Sequence, residues 1–204
     1  MNSYSLMPVF YLPPISWFHT FLKPDSEVLL EAYENFPKQT YRNRAHIYGA
    51  NGKLPLIIPI RHTGARVYQD IEISYAEDWR TLHWKSIKTA YQSSAYFEFY
   101  EDRLQTLYDE KEPSLLKFNL NALQLILKLL KEEKPITLTK HYEKDIEGED
   151  LRMEFSAKQP SPFGSKPYYQ TFEDKLGYLP NLSVLDLLCN LGPESSHYIK
   201  TCNE

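Results

Sequence analysis

The chain has 204 residues, 42% apolar and 25% charged, with a formal net charge of -4. That length suits one well-buried domain and is short for two, so residues 1–204 are read as a single domain. The ordinary composition excludes a disordered chain, and the acidic balance excludes a general nucleic-acid binder, which needs a net basic field.

The 16 Tyr, 10 Phe and 3 Trp stand against only 7 Gly. Tyr suits surfaces that are half packed and half wet, and most of these residues are read as the rim of a core. Cys189 and Cys202 form neither a zinc frame nor a disulfide framework, and Cys189 in "VLDLLCNL" reads as a buried reduced thiol. The N-terminal "MNSYSLMPVFYLPPISWF" lacks a basic lead and is broken by prolines, unlike a signal peptide. No stretch reaches the roughly 18 apolar residues of a membrane span. The chain is therefore read as cytoplasmic, without a transmembrane segment.

In chain order, "MPVFYL" before Pro13 and Pro14 predicts a buried strand ending in a turn. "ISWFHTFL" carries Trp17, Phe18, Phe21 and Leu22 at helical spacing, and Pro24 closes it. "SEVLLEAY" predicts a second strand, making a βαβ unit with parallel strands. "RAHIY" and "LPLIIPI" flank the turn-forming "GANG" and predict antiparallel strands. Pro55 and Pro59 remove two donors from one edge, so the latter strand is expected to pair with a single neighbour, Val67 to Ser74.

From Glu77 the period becomes helical, with Trp79, His83, Ile87 and Tyr91, then Tyr96, Tyr100, Leu104 and Tyr108 after "QSSA". Ser114 caps the longest predicted helix, Ser114 to Lys131. "PITLTKHY" and "PYYQTF" read as strands, and Lys144 to Gly164 as loop. Ser183 and Asp186 form an S-x-x-D box opening a last helix that Gly192 and Pro193 stop. The sum is an α/β domain whose mixed sheet, an N-terminal parallel βαβ unit plus antiparallel strands, is flanked by helices; a three-layer arrangement is favoured.

Three cations stand in seven residues of "KQTYRNR". In an extended segment Arg42 and Arg44 leave one face and Asn43 the other, and two guanidiniums suit a carboxylate or phosphate, with Lys38 adding a point charge. The competing structural reading is a salt bridge to Glu31 or Glu34. His83 shares the stripe of Trp79, which favours a core histidine over a general base, and Lys85 is the better exposed. The histidines have no metal-ligand spacing, and GxxxxGK[ST], GxGxxG and GxSxG are absent, so no metal or cofactor is expected.

The segments "YLPPISWF", "KQTYRNRAHI", "LIIPI", "IEISYAEDWRTLHWKSIKTAYQSSAYFEFYED" and "PNLSVLDLLCNLGPES", in this order, resemble the WbqC-like family of bacterial proteins. The resemblance covers most of the chain apart from the stretch around Lys144 to Lys166, and is similar to the family's shorter members. It implies a place in O-antigen or other surface-polysaccharide synthesis, with glycyl or aminoacyl transfer to a sugar as the proposed activity. The alternatives are a non-catalytic sugar- or anion-binding module, or a scaffold in a polysaccharide-assembly complex. Its partner would be a small molecule, a sugar or nucleotide sugar, and not nucleic acid.

The matched residues implied for the site are Tyr11, Lys38, Tyr41, Arg42, Asn43, Arg44 and Trp79 for binding, with His83 and Lys85 for catalysis. Tyr11 at a strand end before a helix would place a pocket at the carboxyl edge of a parallel pair. The chain departs from the family where "MPVFYLP" replaces an "HQPNYLP" context. It departs again where "EAYENFPK" offers Glu31, Glu34 and Asn35 in place of an acidic pair and a Gln.

Overall fold

The computed structural model describes residues 4–24, 26–159 and 164–202. Strand β1 (Tyr4–Pro8) turns buried from Leu6 onward and runs parallel to β2 (Glu27–Glu31), with Leu6 opposite Leu29 and Met7 opposite Leu30. Helix α1 (Ile15–Phe21) makes the crossover. Trp17 stacks on Phe21 at 4.7 Å and its Nε1 donates to the Pro8 carbonyl at 2.9 Å, which pins the helix over the end of β1.

Two short strands complete this sheet. β5 (Thr137–Leu138) adds to the far side of β2 and β6 (Glu149–Asp150) to the far side of β1, so the order is β5-β2-β1-β6, all parallel. The stretch Lys144 to Gly164, expected as loop, thus contributes a strand; its residues 160–163 lie outside the described residues. Gly148 makes this possible, because a Cβ there would collide with the Tyr4 carbonyl oxygen.

The antiparallel pair is a separate ladder. β3 (Arg44–Gly49) and β4 (Gly52–Ile57) form a hairpin closed at Gly49 and Gly52, the latter at φ +104°. Ala45, Ile47 and Leu56 enter the core. The expected pairing of the proline-bearing strand with Val67 to Ser74 shrinks to its last residues, where Ile60 bridges Ile73 and Ser74 N–H bonds to the Pro59 carbonyl at 2.8 Å. Its neighbour is β3, and residues Tyr68–Asp70 form a 3-10 turn held by isolated bridges such as Ile60 to Ile73 and Asn35 to Val67. Pro55 removes a donor within β4 and Pro59 another just past its end, so this stretch has no continuous donor edge for a second strand.

Helices α2 (Trp79–Tyr91), α3 (Phe97–Gln105) and α4 (Leu115–Leu130) follow the predicted periodicity. Ser114 caps α4 by accepting from Lys117 N–H, and Trp79, His83, Ile87 and Tyr91 are all buried. After the short α5 (Glu173–Leu176) come α6 (Val184–Leu191) and α7 (Ser195–Thr201). Residues 167–172 were expected to be a strand and form none. Their Tyr168 and Gln170 alternate inward as a strand would, but their partners are side chains of α6 rather than a ladder. One cluster of apolar side chains joins both ladders to α2, α4 and α6. Among the described residues no helix is long and apolar enough to cross a membrane.

Candidate functional site

The basic segment does not act as one unit. Residues 41–43 form a turn rather than an extended run, so Arg42 and Arg44 part company. Arg42 is 1% exposed and makes a two-pronged ion pair with Glu34, at 2.5 and 2.6 Å. A third bond runs from Nη2 to the Arg152 carbonyl at 3.0 Å, and the guanidinium sits 5.4 Å over the Phe10 ring. Arg42 is therefore an internal brace, and the salt bridge to Glu34 is the correct reading of this residue. Burial pushes Glu34 above the usual carboxylate range and Arg42 opposes it.

A second brace stands beside it. Glu31, fully buried, accepts from Tyr33 N–H, the Thr139 hydroxyl and Arg152 Nη1 at 2.8, 2.9 and 3.1 Å. Arg152 also grips Asp150 at 2.7 Å. Glu31 and Glu34 thus tie the carboxyl ends of β2 and β6 together.

This arrangement explains why the carboxyl edge is closed. In the order β5-β2-β1-β6 the chain reverses direction across the sheet between β1 and β6, where open α/β sheets leave a crevice. Here Phe10, just after β1, meets Phe155 edge-on at 6.0 Å beneath Arg42, and the crevice is filled by the chain's own side chains. Tyr11 is likewise 0% exposed, so the pocket expected at this edge does not reach it.

Tyr11, Trp79 and His83 do come together, but in the interior. His83 Nε2 lies 3.1 Å from the Ile57 carbonyl and Nδ1 lies 3.0 Å from the Tyr11 hydroxyl, which is 2.6 Å from the Tyr108 hydroxyl. The carbonyl can only accept, which assigns the proton to Nε2 and leaves Nδ1 to accept from Tyr11. Burial holds the imidazole pKa down to about 4, against the bond to Ile57. Both nitrogens of a neutral ring are occupied. Lys85, two residues along α2, is exposed and points elsewhere, so the two expected catalytic residues share no site.

Arg44 has the opposite fate to Arg42. It stands on β3 in the face shared with His46 and, across the hairpin, with Lys53 and Pro55. Its Nε is buried with no hydrogen-bond partner, and so is Nδ1 of the buried His46. Burial lowers the His46 pKa to about 4, helped by the charges of Lys53 and Arg44. Tyr41 packs edge-on against His46 at 5.4 Å, and burial pushes its own pKa up to about 12, so its hydroxyl stays protonated.

Beside this face lies a cleft of about 330 Å³ lined by Tyr41, Lys53, Lys158, Gln159 and residues 179–182, none of them acidic. Asn43 orients the approach to β3, donating from Nδ2 to the Ile58 carbonyl at 2.9 Å while Ile58 N–H returns a bond to its carbonyl. Lys38 is exposed and lines a different cleft, formed with residues 60–66. Among the described residues no group of three His, Cys, Asp or Glu side chains stands close enough to hold a metal ion.

A model of the WbqC-like protein family matches residues 9–161, more than half of the chain. The chain belongs to the WbqC-like family. It is also similar to an uncharacterized protein of Mycobacterium tuberculosis, 22% identical over 234 residues that take in 100% of both chains. No solved structure matches it.

The matched span of this WbqC-like chain contains the hairpin face, both braces and the His83 cluster, but not a further buried polar group on α6. Asp186 is 0% exposed and accepts at Oδ2 from the Tyr168 hydroxyl at 2.6 Å and Gln170 Nε2 at 2.8 Å. It does not cap its helix as expected. Ser183 Oγ takes that role by accepting from Leu185 N–H, and Ser183 N–H is already donated to the His46 carbonyl. Burial raises Asp186 to about 6, opposed by Tyr168, Gln170 and Tyr91.

His46, Lys53 and Lys158 were absent from the expected site. The signal for His46 was in the strand: "RAHIY" places it two residues from Arg44, on the same face. Lys53 follows once the "GANG" hairpin register is fixed, whereas nothing in the sequence brings Lys158 near.

Proposed function

We propose that this WbqC-like chain binds a small ligand bearing a carboxylate or phosphate in the cleft beside β3 and β4, with Arg44, His46, Lys53 and Tyr41 as its grip. One observation carries the reading: Arg44 Nε and His46 Nδ1 are buried without partners behind a cleft that they do not line themselves, reached through Lys53 on the same hairpin face and Tyr41 against His46, and whose lining among the described residues has cations and no carboxylate. A buried polar group left unpaired costs about 1–3 kcal/mol, and more when charged, so an anion placed there removes a standing penalty. A guanidinium offers such a group a planar fork of donors, and Lys53 and Lys158 add point charges.

Sugars and nucleotide sugars of surface-polysaccharide synthesis, and activated aminoacyl donors, carry groups of this class. A cytoplasmic transferase forming a glycyl or aminoacyl bond to a sugar is the activity that family membership suggests. One observation favours the non-catalytic alternative: His83, the base that such a transfer would use, is buried with both nitrogens engaged. The binding role is therefore the primary reading, with transfer requiring a base other than His83.

The test is a thermal-shift screen of nucleotide sugars, aminoacyl donors and simple phosphates. A ligand at a hundred times its Kd stabilises by about 2.7 kcal/mol. For a chain of this size that is a rise of roughly 5–10 °C in Tm. Arg44→Ala is expected to abolish the shift. A hit that stabilises the variant as much as the wild type sinks the assignment.

A further inference from the structure

The loop Arg61 to Arg66, "RHTGAR", carries two arginines and a histidine in an acidic chain, and its backbone is held at both ends. Ahead of it, Ile60 bridges Ile73 and Arg61 N–H bonds to the Glu72 carbonyl at 2.9 Å. Behind it, Asn35 bridges Val67, and Phe36 N–H bonds to the Arg66 carbonyl at 2.7 Å. Gly64 turns the tip at φ +85°, where no side chain is crowded and a Cβ is disfavoured only by the backbone.

A cleft of about 500 Å³ opens between this loop and Lys38. Its floor is apolar, from Phe36, Ile60 and the buried Ile71, with Phe36 set against Tyr68 at 5.5 Å. Its walls carry Lys38, Arg61, His62 and Arg66, and among the described residues no carboxylate lines it. Among the described residues only Arg61 has an acidic partner, Glu72 at 2.8 Å in an exposed contact of little net worth. Lys38 and Arg66 have no acidic partner among the described residues.

We propose that this cleft is a second ligand site, distinct from the hairpin cleft, which binds a phosphate-bearing metabolite carrying a planar or apolar group. The backbone that carries these cations is already pinned before a ligand arrives, which lowers the ordering cost of binding. Arg66 and Lys38 hold the phosphate and Phe36 meets the body, a division that suits a nucleoside diphosphate better than a bare anion. The inference does not depend on the hairpin cleft, since it uses none of the same side chains.

The experiment titrates inorganic pyrophosphate and UDP into the full chain at about 0.15 M salt, where loosely attracted ions are screened. The variants are Lys38→Ala/Arg66→Ala, Arg44→Ala and, as a charge control, Lys117→Ala on α4. All four positions have exposed or half-buried side chains, and unchanged Tm without ligand verifies folding. The expected result is UDP binding tighter than pyrophosphate, weakened at least tenfold in the double variant and retained at this site in Arg44→Ala and Lys117→Ala. Wild-type affinity in the double variant overturns the site, and so does an equal loss in Lys117→Ala. Loss confined to Arg44→Ala assigns the phosphate to the hairpin cleft alone and overturns it too.

Discussion

Replacing Asp186 by Asn tests the buried α6 network through pH. In the folded chain the carboxyl titrates at about 6, whereas an unfolded Asp titrates near 3.9. Between those values the folded state holds a proton that the unfolded state has released, so stability falls as pH rises through the window. The difference of roughly two units corresponds to about 3 kcal/mol, fully lost above pH 6. Asn has the same shape and never ionises. Its oxygen can accept from Tyr168 and Gln170 as the carboxylate does.

Urea unfolding of both proteins at steps from pH 4 to 7 gives the difference directly, because every other titrating group cancels. The variant is expected to gain about 3 kcal/mol on the wild type between pH 4 and pH 7, equivalent to roughly 6–12 °C in Tm. Parallel stability curves would refute the reasoning, since they would mean that Asp186 is ionised in the fold at little cost.

Other perturbations follow from the same geometry. Arg42→Met leaves Glu34 buried and unpaired and should destabilise by about 3–5 kcal/mol in chemical denaturation, while Arg42→Met combined with Glu34→Leu should recover most of it. His83 acts on pH in the opposite sense to Asp186. Its pKa is lowered to about 4, so the unfolded chain takes up a proton at about pH 6.5 that the folded chain refuses, and stability is lost as pH falls from 6.5 to 4. His83→Gln is expected to flatten that acid limb by about 3 kcal/mol in the same unfolding series. Gly148→Ala should release β6 from β1, read as faster amide exchange at residues 149–151 with β2 protected as before.

The elements that were legible in the sequence are those whose burial is written into a period. β1, β2, the hairpin and the three helices α2, α3 and α4 each carry an apolar run or stripe long enough to read. β6 has two acidic residues and no apolar signature, and only the need for a glycine at position 148 marks it. Residues 167–172 alternate like a strand because Tyr168 and Gln170 both turn toward Asp186, a long-range polar contact that mimics the period without a ladder.

The site was legible in residue type and not in direction. Arg42 and Arg44 were read on one extended face, with Lys38 adding a point charge, but the turn at 41–43 sends Arg42 inward to Glu34 and leaves Arg44 on the hairpin. Which of two neighbouring arginines becomes structure was decided by Glu34 and Arg152. The latter is 110 residues away in sequence from Arg42, beyond the reach of any local pattern.

An anion meeting Arg44 and His46 would be reported directly by the His46 ring. Sulfate does not titrate between pH 4 and 8, so NMR titration of the imidazole with and without sulfate isolates the protein's response. The account predicts that sulfate raises the His46 pKa from about 4 in the wild type, by offsetting the charges of Arg44 and Lys53. In Arg44→Ala the ligand-free value should already be higher and most of the sulfate response gone. A His46 titration that ignores sulfate in the wild type, or responds equally in both proteins, would contradict it.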